Sequence, residues 1–115
     1  MTLGEVVKLL KAKVMTENTD LDTECYRACG ADLMSDVLAF SKDKSILLTG
    51  LMNIQVVRTA EMMDIKVIIF VRGKTPPPEI ISLANEMEIS ILCTDYPLYE
   101  ACGLLYSQGL GNVEA

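Results

Sequence analysis

Apolar residues open the chain with a helical period: Leu3, Val6, Val7 and Leu10 recur at i, i+3, i+4 and i+7. Thr2 and Glu5 stand at the spacing of a capping box, in which a hydroxyl and a carboxylate satisfy free amides of the first turn. The pattern predicts a short amphipathic helix. A brief apolar pair, Val14-Met15, leads into a polar run over 16–24 that reads as a connection. Cys25-Tyr26-Arg27-Ala28-Cys29 reads as an extended segment ending at Gly30. Asp32 stands where it can cap a second helix, with Leu33, Val37 and Phe40 on one stripe and Met34 and Leu38 beside it.

From residue 45 onward, short apolar runs alternate with helical periodicity. Ile46-Leu47-Leu48, the run over 67–71 and Ile89-Ser90-Ile91-Leu92 read as strands buried on both faces. Segments 54–63, 78–87 and 98–106 read as helices, long enough to cross between parallel neighbours. Ile80, Leu83, Ala84 and Met87 share one stripe, and Leu98, Cys102 and Leu105 another, so each of these helices has a face to lay on a sheet. The second half therefore predicts a βαβαβα unit and an α/β fold. Gly109 and Gly111 mark a flexible tail over 108–115, leaving 1–107 as a single domain.

Composition narrows the function more than the fold. The 115 residues suffice for one domain and not for two independent catalytic ones. With 50% apolar residues and a mean hydropathy of +0.31, the sequence reads as a globular protein with a generous core. The absence of histidine removes imidazole as base, proton shuttle or metal ligand, and with it Ser-His-Asp triads, Cys-His dyads and the usual catalytic zinc sites. A net charge of −6 without a basic cluster argues against nucleic acid as a partner, because counterion release needs several basic groups on one face. No apolar run approaches the roughly 20 residues that cross a bilayer, so no membrane role is expected. Cys25, Cys29, Cys93 and Cys102 fit no zinc-ribbon spacing, and a reducing cytoplasm is the expected location.

The candidate site follows from the strand assignment. If the apolar runs are parallel strands, their carboxyl ends open into Thr49-Gly50, Arg72-Gly73-Lys74 and Thr94-Asp95, and open α/β sheets bind ligands in the crevice outside those ends. Arg72 and Lys74 supply positive charge, while Thr49, Asn53 and Thr94 can orient a small polar ligand; the alternative is that these loops are polar only because they are loops. Gly73-Lys74-Thr75 invites a phosphate-loop reading, but the required earlier glycine is replaced by Ile68. Pro76, Pro77 and Pro78 then remove the amides that would hold an anion, and they fit better as helix starters ahead of Glu79. Cys25 and Cys29, four apart, are expected on one face, with packing as the commoner role for free cysteine and no metal site expected. Asp20, Asp22, Glu24, Asp32 and Asp36 miss the calcium-loop spacing and read as a solvated face. Met62 and Met63 read as core filling.

The stretch 48–92, with Asn53-Ile54-Gln55-Val56-Val57 and Val71-Arg72-Gly73-Lys74-Thr75-Pro76-Pro77-Pro78-Glu79, resembles a DRTGG domain and is similar to the amino-terminal domain of HPr kinase/phosphorylase. Gly30-Ala31-Asp32-Leu33-Met34-Ser35-Asp36-Val37 resembles small stand-alone members of the family, and the likeness covers roughly 1–107. It implies a three-layer α/β/α domain with a largely parallel central sheet, often a homodimer and often an accessory module beside catalytic or CBS domains in phosphotransacetylases and pyrophosphatases. It carries no established catalytic residues, and the kinase keeps its phosphate loop in another domain. The chain departs from the naming motif: Leu51-Met52 stands where Asp-Arg is common, and Val71-Arg72-Gly73 where Thr-Gly-Gly is. Stand-alone members tend to be encoded near small signalling kinases and iron–sulfur redox components, which implies a protein partner.

These readings converge on a non-enzymatic regulatory module, a cytoplasmic homodimer without cofactor, binding a small metabolite or nucleotide or a partner protein. The competing expectations are a small enzyme using Cys93 or Asp95 at a strand end, where a thiol would need a nearby cation such as Lys74 or Arg72 to lower its pKa, and a scaffold subunit of a redox or signalling complex.

Overall fold

The computed structural model describes residues 1–40 and 45–110. Its elements run α1 (Leu3–Leu10), β1 (Lys13–Val14), β2 (Arg27–Gly30), α2 (Met34–Phe40), β3 (Ser45–Thr49), α3 (Ile54–Met62), β4 (Val67–Phe70), α4 (Pro78–Glu86), β5 (Ser90–Cys93) and α5 (Leu98–Ser107). The strands form one sheet in the order β1-β5-β4-β3-β2. β2, β3, β4 and β5 are parallel, and β1 closes the far side antiparallel to β5, with Lys13 opposite Cys93.

The strands are apolar without interruption because both faces are covered. Leu47, Ile68, Phe70 and Ile91 pack with Val37, Val56, Ala60, Ile80 and Ala84, so α2, α3 and α4 lie on one face. Ile46, Leu48, Val67, Ile69 and Leu92 pack with Leu3, Val6, Leu10, Ala101 and Leu105, placing α1 and α5 on the other. The result is the expected three-layer α/β/α arrangement. Each crossover joins adjacent parallel strands, as expected of right-handed βαβ units repeated in one direction. α5 leaves the pattern, passing to the opposite face and lying over β2 and β3.

Local chemistry accounts for the boundaries. The Thr2–Glu5 capping box forms, with Glu5 Oε1 accepting from the Thr2 amide at 3.0 Å and Thr2 Oγ1 accepting from the Glu5 amide at 3.2 Å. Those bonds to the charged form hold the Glu5 carboxyl below its usual pKa. α1, α3 and α4 all stop in the same way. Lys11, Asp64 and Glu88 adopt left-handed φ of 50°, 55° and 58°. The next amide then reaches back five residues, Ala12 to Val7, Ile65 to Ala60 and Ile89 to Ala84, as a Schellman closure does.

Five expectations change. Met62 is 70% exposed and fills no core, while Met63 packs against the α2–α4 side. Val14 belongs to a strand, extended by Met15 donating to Ile91 O at 2.8 Å; two residues are too few to show a period. Cys25 and Cys29 do not share a face: Cys25 precedes β2 and packs with α1 and α5, whereas Cys29 packs on the α2–α4 side. Asp32 is drawn to β3 instead of capping α2, and the Leu33 carbonyl accepts from Asp36 and Val37. The chain stays packed past residue 107, since Leu110 is buried and its amide donates to Leu105 O; the rest of the expected tail lies outside the described residues. No helix among the described residues is long and apolar enough to cross a membrane.

Candidate functional site

Parallel strands deliver their carboxyl ends to a single edge of the sheet, so four connections meet there: Ala31-Asp32 after β2, Thr49-Gly50 after β3, 71–74 after β4 and 94–96 after β5. Gly50 is the hub. Its amide donates to Asp32 Oδ1 at 2.7 Å, and its carbonyl accepts from Lys74 Nζ at 2.9 Å. The Arg72 guanidinium lies against its α-carbon, where a Cβ would collide with it. Two cations from the β4–α4 connection thus converge on one residue at the end of β3. Among the described residues, no carboxylate oxygen lies within 4.0 Å of either charged group.

The turn that projects these cations is held by its neighbour. Arg72 N donates to Tyr96 O and Gly73 N to Thr94 O, both at 2.9 Å, so the β4–α4 and β5–α5 connections are zipped together although their helices diverge to opposite faces. Arg72 and Gly73 are consecutively left-handed, with φ of 64° and 68°. That conformation is free for glycine and costs an L-residue about 1–2 kcal/mol. Asp95 stands over Gly73, its Oδ1 3.1 Å from where a Cβ would be.

The eight expected site residues therefore divide. Arg72, Gly73, Lys74 and Asp95 come together, exposed, over Gly50, which is buried beneath the Arg72 guanidinium. Thr49 and Thr94 are buried, and their hydroxyls are engaged inward. Thr49 Oγ1 donates to Asp32 Oδ1 at 3.1 Å and accepts from the Leu51 amide. Thr94 Oγ1 donates to Leu10 O at 2.7 Å and accepts from the Tyr96 amide. Asn53 is the exposed N-cap of α3 and makes no side-chain capping bond. Sequence reasoning missed Asp32 as the clamp on Gly50; the available signal was an acidic residue directly after a strand, beside the next strand's end.

Hollows also lie elsewhere among the described residues. A cavity of about 450 Å³ sits at the amino ends of β4 and β5, lined by Glu17, Asn18, Lys66, Asn85 and Glu88 among others. A groove of about 460 Å³ runs between β2 and α5 along Gly30, Tyr99, Cys102, Gly103 and Tyr106. Three thiols are held protonated by burial, which pushes Cys25 up to about 11 and raises Cys93 and Cys102 as well, against the opposing pull of Lys13 at Cys93. Among the described residues, no group of three His, Cys, Asp or Glu side chains could hold a metal ion.

A family model for the DRTGG domain matches residues 5–107. Among solved structures, the chain is similar to the CBS and DRTGG domains of the regulatory region of Clostridium perfringens pyrophosphatase, crystallised with its activator diadenosine tetraphosphate. The TM-score is 0.77 and the identity 20%, over 90% of this chain and 45% of that one. The chain spans less than half the length of that structure, and at this identity the likeness is one of fold. No match is found among curated proteins.

Proposed function

The chain belongs to the DRTGG-domain family, and on that premise we propose that it is a non-enzymatic regulatory module that binds a small metabolite or nucleotide at the carboxyl edge of its sheet. One observation carries this reading: Arg72 and Lys74 arrive together over Gly50, without carboxylate partners among the described residues, at the edge where open α/β sheets take ligands. The pyrophosphatase regulatory region of similar fold was crystallised with a dinucleotide activator, which makes nucleotides the first class to test. An enzyme built on Cys93 is disfavoured because its thiol is pushed away from the thiolate that a nucleophile requires. Among the described residues no hydrogen bond or ion pair joins Asp95 to another titratable group with which to share a proton.

The setting we propose is a cytoplasmic homodimer that reports its ligand to a signalling or redox partner. A second reading, in which the module acts through protein contact alone, is supported by Tyr99 and Tyr106, which are 90% and 62% exposed beside the α5 groove. Thermal unfolding of the full chain against a panel of nucleotides, acyl phosphates and central metabolites tests both. A ligand that binds only the native state raises the midpoint in a saturable way, whereas a flat response across the panel would leave only the protein-contact reading.

A further inference from the structure

We propose that Arg72 and Lys74 form a cradle for a phosphoryl group, so that the ligand class is an organic phosphate or phosphoanhydride; this rests on the small-ligand reading above. Two like charges are directed at a single residue, one through the Lys74 bond to the Gly50 carbonyl and the other through the guanidinium packed on its α-carbon. Neither nearby carboxylate forms an ion pair with them among the described residues. Asp32 is occupied by the Gly50 amide and the Thr49 hydroxyl. Asp95 stands over Gly73. An anion placed between the cations removes their mutual repulsion, and a guanidinium fork beside a lysine point charge matches phosphoryl oxygens in both geometry and charge.

The backbone supplies an independent argument. Lys11, Asp64 and Glu88 spend a left-handed conformation on closing a helix, and Asn18, a residue type that adopts it readily, uses it in a loop, whereas Arg72 follows a strand and closes no helix. Its conformation is instead fixed by the paired bonds to Tyr96 and Thr94 carbonyls, and what it achieves is to throw the guanidinium back over β3. Strain held in this way at a ligand edge is a recognised mark of a functional position. Pro76, Pro77 and Pro78 supply no amide donors ahead of α4, so side chains rather than a backbone nest would hold the anion. Asp95 disfavours a second anionic group on its side and can accept a hydrogen bond from a hydroxyl there.

Isothermal titration of the full chain with pyrophosphate, ADP, glycerol 3-phosphate and adenosine tests the cradle. The phosphorylated probes are expected to bind, more weakly at raised salt, and adenosine is not. The ratio of ADP to glycerol 3-phosphate affinity tells a nucleotide from a small phosphate ester. Arg72→Gly removes the charge and relieves the left-handed strain, so it is expected to weaken binding by about tenfold or more without lowering the unfolding midpoint. Gly50→Ala keeps both charges but displaces the guanidinium, and is expected to weaken binding too. Adenosine binding as well as ADP, or unchanged affinity in Arg72→Gly, overturns the cradle and leaves the small-ligand reading standing. The cradle alone also fails if an unphosphorylated metabolite from the thermal panel binds and no phosphate does. Failure of every compound in both experiments overturns both.

Discussion

At the carboxyl edge of the sheet the connections are drawn together by backbone bonds and present two cations over one glycine, whereas at the amino edge they enclose a cavity of about 450 Å³, bridged at its margin by Ser90 N donating to Lys66 O at 2.8 Å. The amino-edge cavity carries the acidic and amide side chains of Glu17, Asn18, Asp20, Asn85 and Glu88, with Lys66 in an exposed ion pair to Asp64 at 3.5 Å. Both edges use left-handed residues. At the amino edge Asp64 and Glu88 terminate helices and Asn18 turns a loop, whereas at the carboxyl edge Arg72 aims a side chain. Room and charge are therefore separate properties in this fold, since the hollows of about 450 and 460 Å³ both lie away from the two cations.

Three substitutions probe that contrast. The largest effect is expected for Thr94→Val, which leaves the buried Leu10 carbonyl and the Tyr96 amide without their hydroxyl partner. A loss of about 1–3 kcal/mol in urea unfolding is expected; a neutral result would mean that the carboxyl edge does not depend on that clamp. Gly73→Ala imposes a side chain on a left-handed residue facing Asp95, and should cost about 1–2 kcal/mol by the same measurement. Tolerance at Gly73 would show that the zipped turn has room to relax. The smallest effect is expected for Glu88→Gly, which relieves a helix-closing residue at the amino edge. It should raise stability by about 0.5 kcal/mol, the left-handed cost less the entropy glycine adds to the unfolded chain, and leave ligand binding unchanged. Were Glu88→Gly to impair pyrophosphate binding as Arg72→Gly is expected to, the division between the two edges would be lost.

Most of the architecture was legible because strands covered on both faces are written as unbroken apolar runs, and Ile46-Leu47-Leu48 and the run at 67–71 say so without help from the rest of the chain. The strand ends, and hence Gly50, Arg72, Lys74 and Asp95, could be read off directly. Their convergence could not. It depends on the parallel register that sets Thr49 beside Phe70, and on a left-handed turn at an arginine, which no propensity favours. β1 was hidden by its length, and the face of Cys25 by the bend that separates it from β2. Asp32 carried a residue type suited equally to a cap and a clamp, and only the neighbouring strand decides between them.

The pairing of β1 with β5 also has a consequence for how the chain reaches its native state. β2 to β5 each find their neighbour across a single intervening helix, so those contacts close short loops. β1 must instead wait for the strand made last, and the Thr94 hydroxyl that secures Leu10 lies 84 residues away along the chain. Closing so long a loop is the entropically costly step and is deferred until the other contacts reward it. During vectorial synthesis β1 would therefore emerge well before its partner and pair only once β5 has left the ribosome.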